Sequence, residues 1–274
     1  MKSLKILTAI LLLFTIFSCS NDEDQNFEQS ENTRLLKKLV YQNASSIGEL
    51  SEMQLFYNGS KIDKIKFIST NTSNNMEKIF SYDGDKIVKI SNIYNNGITL
   101  PEISIITYNS QNQISKIETT RESDQFTRDE YEYISSNQIR VKKYHNYNNQ
   151  LTLTDVGVFY LDSNENIYKV VETFNYTGDD LSEYNVTFDN KINPLKNITG
   201  FNAILGFDFT DDLSHCGSFG FNNATQIALT NVSNNNSFSF STNLQYDNLG
   251  YPISGTITNS DISPEIVTCS YEYY

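Results

Sequence analysis

The chain has 274 residues, of which 33 are acidic and 20 basic, so its formal net charge at pH 7 is −13. A protein this acidic lacks the basic footprint that nucleic-acid phosphates require, which excludes nucleic acid as a partner. Aromatic residues make up 13% of the chain, all of them Tyr or Phe because Trp is absent, and Pro occurs only 4 times. This composition, with its many Asn, Ser and Asp residues, is typical of β-strands joined by tight turns.

Residues 1–18, MKSLKILTAILLLFTIFS, have the layout of a secretory signal peptide. Lys2 and Lys5 form a basic start, and the apolar run that follows is shorter than the roughly 20 residues of a spanning helix. Cys19 comes next, and Ile16-Phe17-Ser18-Cys19 resembles the lipobox of bacterial lipoproteins. The resemblance implies cleavage before Cys19 and lipidation of its thiol, so that acyl chains hold the mature chain on the membrane. The alternative is an ordinary cleaved signal with an incidental cysteine.

Residues 19–33 are expected to form a disordered tether, because the stretch after Cys19 is polar, acidic and without apolar periodicity. The segment Ser20–Asn26 also resembles the acidic signal that some Gram-negative groups use to export lipoproteins to the outer face of the outer membrane. We therefore expect an outer-membrane location, with a surface-exposed position favoured over a periplasmic one. A plain solvated spacer is the alternative.

Residues 34–274 are expected to form a single domain whose main feature is an internal repeat of about 26 residues. Each unit has an aromatic residue, a turn of Asn, Asp, Gly or Ser, an aliphatic residue, and a basic residue directly before a second aliphatic. The units start at Tyr57, Tyr82, Tyr108, Tyr133 and Tyr160. The phrase from Phe188 through Ile192 to Leu195 continues the series, and Tyr246 resumes it.

Each unit is predicted to be a β-hairpin. The strand that enters it ends at the Tyr, and turns such as Asn58-Gly59 and Asp83-Gly84 supply the positive φ angles of a tight hairpin. Two aliphatic residues three positions apart break strict alternation, which predicts a β-bulge just after the turn. Because one hairpin is marginal alone, the units should pair into one meandering antiparallel sheet, curved or partly closed.

Three flanking segments complete the predicted all-β domain. Residues 34–49 are expected to give a first strand that seals the N-terminal edge of the sheet. Residues 267–274 alternate and predict a last strand. Residues 201–240 depart from the repeat, and we interpret them as an irregular insertion between hairpins.

The repeat units resemble the YD repeat of Rhs-type proteins, most clearly at Tyr82-Asp83-Gly84 and from Tyr246 to Gly250. The whole arrangement is still more similar to a group of uncharacterised envelope lipoproteins, in which a lipobox precedes such hairpins; the phrase from Phe188 to Ile198 is typical of that group. The resemblance implies a porin-like curved sheet, or half-barrel. It implies no activity, because none is established for the group.

Two ladders of side chains are candidate ligand-binding surfaces. The basic residues of the units are Lys64, Lys89, Lys116, Arg140 and Lys169, and they can bind an anionic glycan or form a solvated face offset by neighbouring acids. The aromatic residues are Tyr57, Tyr82, Tyr108, Tyr133 and Tyr160, and they can stack on sugars or pack within the sheet.

The remaining chemistry lies in the cysteines and histidines. Cys216 and Cys269 fit no metal signature, and outside the cytoplasm they can form a disulfide or stay as two buried thiols. His215 and Cys216, with nearby Asp208, Asp211 and Asp212, are candidates for a metal or nucleophilic site, although adjacent side chains diverge in an extended chain. His145 is expected at the surface. No catalytic or dinucleotide fingerprint occurs, and no metal or cofactor is expected.

These observations favour a non-catalytic envelope scaffold or interaction module that meets the membrane through its lipid and an envelope protein as partner. The alternative is a surface lipoprotein that binds a glycan beside an outer-membrane uptake system. A hydrolase that uses the 201–240 segment, and so depends on His215, is the third hypothesis.

Overall fold

The computed structural model describes residues 33–43, 50–70, 75–94, 100–121, 125–147, 150–174, 180–201, 220–232, 236–260 and 266–274. The signal peptide, Cys19, the tether, and the candidate residues Asp208, Asp211, Asp212, His215 and Cys216 lie outside this part of the chain. Within it, the structure contains no helix of the length and apolarity that crossing a bilayer requires.

The described chain folds into sixteen antiparallel strands that form one closed barrel. The strands are β1 (Leu36–Asn43), β2 (Leu50–Asn58), β3 (Lys61–Ser69), β4 (Met76–Asp83), β5 (Lys86–Tyr94), β6 (Glu102–Tyr108), β7 (Ile114–Arg121), β8 (Gln125–Ser135), β9 (Gln138–Tyr147), β10 (Gln150–Leu161), β11 (Ile167–Phe174), β12 (Asp180–Phe188), β13 (Ala224–Asn231), β14 (Asn236–Tyr246), β15 (Pro252–Asn259) and β16 (Ile266–Tyr273). The predicted all-β meander of hairpins is confirmed, and it closes completely because β1 pairs with both β2 and β16.

The predicted bulge is present just after the turn in the first three hairpins. In the β2–β3 hairpin, Tyr57 lies opposite Ile62 while Phe56 lies opposite Lys64, which leaves Asp63 as the extra residue. The β4–β5 and β6–β7 hairpins repeat this arrangement, with Val88 and Ser115 skipped. The bulge lets two aliphatic residues three positions apart face the same side of the sheet.

In the fourth hairpin, β8–β9, the bulge lies on the entering strand and not on the exit strand. Tyr133 pairs with Ile139 and Ser135 with Gln138, so Ile134 is the extra residue and β9 keeps strict alternation. This explains why the second aliphatic, Val141, comes one position earlier than in the other units.

The fifth hairpin shifts the repeat by one residue. Leu161, not Tyr160, lies opposite the first aliphatic of the exit strand, Ile167, and Tyr160 pairs with Lys169. Leu161 therefore takes the inner position that Tyr occupies elsewhere, and it packs against the core. Tyr160 lies on the outer face, 6.4 Å from the ring of Tyr168.

The expected insertion at 201–240 begins earlier and ends earlier than the sequence indicated. Phe188 ends β12 as predicted, but the residues after it do not form the exit strand; that strand is β13, where Ala224 lies opposite Phe188. The expectation is wrong for 224–240, which contains β13 and the start of β14. The described residues 189–201 and 220–223 lie between β12 and β13 and form no strand, and Pro194 has no N–H to donate to a sheet ladder.

The barrel is apolar inside at the end where the tight turns lie. Inward residues alternate with outward ones along every strand, and those of the turn end form a single core cluster. Its fully buried members from the strands include Leu36, Leu39, Met53, Leu55, Ile62, Ile65, Ile87 and Ile114.

Residues 189–201, which we name the plug, cross this end of the barrel and join the core. Leu195, Ile198 and Phe201 are buried, and the rings of Phe201 and Phe80 lie 6.1 Å apart. The Thr199 amide donates to the Ser60 carbonyl in the β2–β3 turn at 2.9 Å. Hydrogen bonds to a turn and apolar contacts to the core together fix the plug across the turn end.

The closing pair of strands has the same construction as the hairpins. Tyr273 lies opposite Leu36, and Glu272 lies opposite Lys38, so Lys37 is a bulge residue. The seam between β16 and β1 thus reproduces the aromatic–aliphatic pair and the bulge of a repeat unit without a connecting turn.

Candidate functional site: the polar half of the barrel interior

The basic ladder lies on the outer face of the barrel. Its members are register partners of other outward residues, and three of the five form ion pairs: Lys116 with Glu118 at 2.9 Å, Arg140 with Glu132 at 2.9 Å, and Lys169 with Glu183 at 2.8 Å. Hydrogen bonds from the two lysines lower the pKa of Glu118 and of Glu183. Lys64 lies over the ring of Phe56, 5.3 Å from its centroid. Acidic side chains and an aromatic ring of the outer face therefore contact four of the five basic residues of the ladder.

Four of the five ladder tyrosines lie on the inner face, at the turn end of the barrel. The Tyr57 hydroxyl donates to the Leu36 carbonyl at 2.7 Å, and the Tyr108 hydroxyl donates to the Ile87 carbonyl at 2.8 Å. Ile87 is the first aliphatic residue of the exit strand one unit earlier, and Leu36 holds the equivalent position on β1 at the seam. Each ring therefore connects its hairpin to the hairpin before it.

The remaining inner tyrosines repeat this contact with small variations. The Tyr82 hydroxyl accepts from the Ile62 amide at 3.1 Å and donates to the carbonyl of Thr199 in the plug at 3.1 Å. The Tyr273 hydroxyl donates to the Pro252 carbonyl at 2.8 Å, so the same contact spans the seam. These tyrosine hydrogen bonds between neighbouring strand pairs continue around much of the barrel wall, and they include the plug.

Burial changes the acidity of these phenols. It raises the pKa of Tyr82, Tyr108 and Tyr133 to about 12 and that of Tyr57 well above its usual value of 10. A phenol with a raised pKa in a packed, hydrogen-bonded position is a structural group. The inner tyrosines and the outer lysines face opposite sides of the wall, so the two ladders cannot form one glycan-binding surface.

Beyond the core, toward the opposite end of the barrel, the inner face becomes polar. The inward residues of this band on β4–β12 include Lys78, Asn92, Glu102, Ser104, Thr119, Arg121, Thr127, Asp129, Lys143, His145, Thr152, Asp155, Glu172 and Ser182. Several are buried despite their polarity, among them Lys78, Thr119 and Ser182. Buried polar groups need partners, so this band is the part of the described interior with capacity to bind a polar ligand.

One side of the polar band centres on Lys143. Its ammonium lies 2.9 Å from the Glu172 carboxylate, which is only 12% exposed. Asp129 and Asp155 are its register partners on the two adjacent strands. Three acids thus surround one base inside the barrel.

The other side of the band is a hydrogen-bonded cluster on β5, β6 and β7. The Asn92 amide donates to Glu102 Oε1 at 2.9 Å, and the guanidinium of Arg121 forms an ion pair with the other Glu102 oxygen. Ser104 and Thr119 share a hydrogen bond of 2.8 Å between their hydroxyls. We call Asn92, Glu102, Ser104, Thr119 and Arg121 the inner cluster.

The spacing of polar residues along the strands indicates the inner cluster, although the stronger pattern of the repeat draws attention to other positions. Asn92, Ser104 and Thr119 each stand two positions along a strand from a buried aliphatic, namely Ile90, Ile106 and Ile117. Counting by twos from the core residues of a strand leads to the inner face beyond the core. That count required knowing that the sheet closes, since only closure makes one face an interior.

The other predicted residues lie apart from this cluster. Cys269 is a free, buried thiol whose pKa burial raises, and it lies 3.7 Å from the Tyr271 hydroxyl. His145 is half-buried on the inner face of β9 and is not a surface residue. No group of three His, Cys, Asp or Glu within the described ranges is placed to hold a metal ion.

Comparison with solved structures identifies the fold. The chain is similar to a porin-like protein from Bacteroides vulgatus, with a TM-score of 0.55 and 12% identity, over 88% of this chain and 99% of that one. A porin-like protein from Bacteroides uniformis matches with a TM-score of 0.50 and 11% identity, over 87% of this chain and 96% of that one. No family model and no curated protein matches the sequence. The porin-like barrel is a fold that fits an outer-membrane location; the resemblances to YD repeats and to envelope lipoproteins stay predictions.

Proposed function

We propose that this protein is a lipid-anchored, non-catalytic interaction module of the outer membrane, whose barrel stands in water beside the bilayer. The observation that supports the proposal is the polarity of the barrel wall. Barrels that span a membrane carry an outward apolar band about 25 Å tall around a polar interior. At its turn end the described barrel has the opposite arrangement, with an apolar core inside and ion-paired side chains on the outer face.

Charged and hydroxyl residues are frequent on the described outer wall. Across β3–β12 many outward positions carry Lys, Arg or Glu, several of them in ion pairs such as Lys66 with Glu77 at 3.1 Å, and others, such as Val156 and Val158, are apolar. Along β14 and β15 they carry hydroxyl and amide side chains, namely Ser237, Ser239, Ser241, Asn243, Gln245, Ser254, Thr256 and Thr258. Placing such groups in hydrocarbon costs about 2–4 kcal/mol for each Arg or Lys near the midplane. A wall of this kind is stable in water.

Exposed apolar residues of the described wall include isoleucines that lie beside charges. Ile68, Ile93 and Ile105 are the most exposed isoleucines of β3, β5 and β6, and each has a charged register partner. Isolated apolar residues among charges are normal on a water-facing surface.

Membrane attachment then falls to the predicted lipid. The chain is acidic, so anionic head groups repel it, and acyl chains on Cys19 supply about 0.8 kcal/mol per buried CH₂ instead. The plug crosses the turn end of the barrel, which supports a binding role over passage of solutes.

The test compares two forms of the protein in cells. One keeps the native leader; the other has Cys19→Ala behind an ordinary cleaved signal peptide. We expect the native form in the membrane pellet, and we expect the variant in the soluble fraction of the envelope without detergent. A variant that stays in the pellet until detergent is added would show that the strands themselves insert, and the proposal would fail.

The interaction role needs its own measurement. Proximity labelling from the native lipoprotein should identify the same envelope partner that a pull-down with the purified protein identifies. If labelling recovers only abundant neighbours that the pull-down does not retain, the interaction module is not supported.

A further inference from the structure

We propose that the inner cluster is a binding site for a small, neutral, hydroxyl-rich molecule of the monosaccharide class. The site is distinct from both side-chain ladders. It also stands apart from the anchoring proposal, because binding inside the barrel does not depend on lipid at Cys19.

The first observation is an incomplete hydrogen-bond network around Asn92. This residue is only 9% exposed, and its amide nitrogen donates to Glu102. Its carbonyl oxygen is buried and has no hydrogen-bond partner in the described structure. Leaving a buried acceptor unpaired costs about 1–3 kcal/mol, so the position is stable when a donor is supplied from outside the chain.

The second observation is that the surroundings offer several further partners within one face. Lys78 is the register partner of Asn92 on β4, and its ammonium lies 5.9 Å from the centroid of the Phe67 ring. On the other side, Ser104 and Thr119 present two hydroxyls, both less than 10% exposed. Cross-strand neighbours on one face lie about 5 Å apart, which is the spacing of groups that one small molecule can contact together.

The charges of the cluster select the class of ligand. Arg121 and Glu102 neutralise one another in an ion pair. A bound anion would be repelled by the Glu102 carboxylate, and a bound cation would be repelled by Lys78 or Arg121. The group that Asn92 requires is a donor, while Lys78 offers only donors. A hydroxyl both donates and accepts, so one hydroxyl can donate to the Asn92 carbonyl and a neighbouring hydroxyl can accept from one of the three N–H donors of Lys78, without adding charge.

One edge of the site faces solvent. The side chain of Arg121 is 56% exposed, whereas that of its partner Glu102 is 13% exposed. Solvent therefore reaches the cluster at Arg121.

The test uses the full mature lipoprotein, purified in a detergent without a sugar head group. Saturation-transfer NMR and thermal melting are recorded with glucose, galactose, mannose and N-acetylglucosamine, and with inorganic phosphate as an anionic comparison. We expect at least one sugar to bind and to raise the melting temperature. Binding of none of the sugars, or of phosphate alone, would overturn the proposal.

Two variants locate the site. Asn92→Leu removes the unpaired oxygen at similar volume, and we expect it to weaken sugar binding about tenfold; because it also removes the hydrogen bond to Glu102, the melting temperature of the free variant is measured beside its sugar binding. Asn243→Leu makes the same change at an exposed outward position of β14 and should bind as the wild type does. Equal binding by the wild type and Asn92→Leu, or equal loss in both variants, would place the sugar elsewhere.

A further variant keeps the test decisive if Asn92→Leu fails to fold. The double change Ser104→Ala and Thr119→Val removes both partners of one hydrogen bond, which is nearly neutral for stability. We expect this protein to fold and to bind the sugar more weakly. Unchanged binding would show that the inner cluster is not the site.

Discussion

Two glycines with left-handed backbone angles should respond very differently to the same substitution. Gly84, in the β4–β5 turn, has φ of 55°, and Gly200, in the plug, has φ of 76°. An L-residue in this conformation costs about 1–2 kcal/mol at either position. A Cβ on Gly84 would meet nothing within 4 Å, whereas a Cβ on Gly200 would lie 2.5 Å from the backbone oxygen of Asp85.

The clash between a Cβ on Gly200 and the Asp85 carbonyl oxygen adds a packing penalty that Gly84 does not have. Because a backbone atom cannot rotate away as a side chain can, the plug must move away from the turn that contains Asp85. The contacts at risk are the Thr199 amide to Ser60 at 2.9 Å and the 2.7 Å bond between the Ser60 and Thr199 hydroxyls. At about 1 kcal/mol each, they bring the expected loss for Gly200→Ala to roughly 3–4 kcal/mol, against 1–2 kcal/mol for Gly84→Ala.

Urea unfolding of the two variants and the wild type measures this difference through the midpoint at constant m-value. Limited proteolysis of folded Gly200→Ala should also cut within 189–201, where the wild type is protected. Equal losses of unfolding free energy in the two variants, within about 0.5 kcal/mol, would refute the docked position of the plug.

Three further outcomes follow from the same structure. Tyr108→Phe should lower the free energy of unfolding by about 1 kcal/mol through loss of the Ile87 contact, while Tyr160→Phe on the outer face should change it little; paired denaturation curves measure both. The raised pKa of about 12 at three inner phenols means that the native state holds protons that the unfolded chain releases near pH 10. Stability should therefore be constant below pH 10 and fall between pH 10 and 12, and phenolate absorbance that appears with an ordinary pKa of 10 before unfolding would contradict it. Cys269 should resist alkylation in the native protein and react after unfolding without reductant; a requirement for reductant would instead indicate a disulfide, for which Cys216 is the predicted partner.

The local repeat predicted the hairpins well because each one is specified by neighbouring residues. The turn glycines, the aromatic residue and the aliphatic pair lie within about ten residues of one another, and the bulge follows from the spacing of Ile62 and Ile65. At the fifth unit the sequence offers Tyr160 and Leu161 side by side. Which of them faces inward depends on the register with β11, and a one-residue shift exchanges the two faces.

The features that the sequence did not predict depend on contacts between distant segments. Closure requires Leu36 to meet Tyr273, and neither residue carries a local sign of that pairing. The sequence predicts that the repeat continues through Ile192 and Leu195, because these residues mimic the aliphatic pair although Pro194 replaces the usual basic residue; in the structure they belong to the plug. The inner cluster becomes a site only when the sheet curves back on itself.

Closure at the seam also affects how the protein behaves before it is folded. Hairpins between adjacent strands can form early, but β1 and β16 are separated by almost the whole domain, and loop closure over such a distance is slow. Until they meet, both present unpaired backbone that can pair with the same strand of another copy. The excess of negative charge keeps copies apart during that interval. The net charge of −13 therefore opposes association between copies until the two edge strands pair with each other.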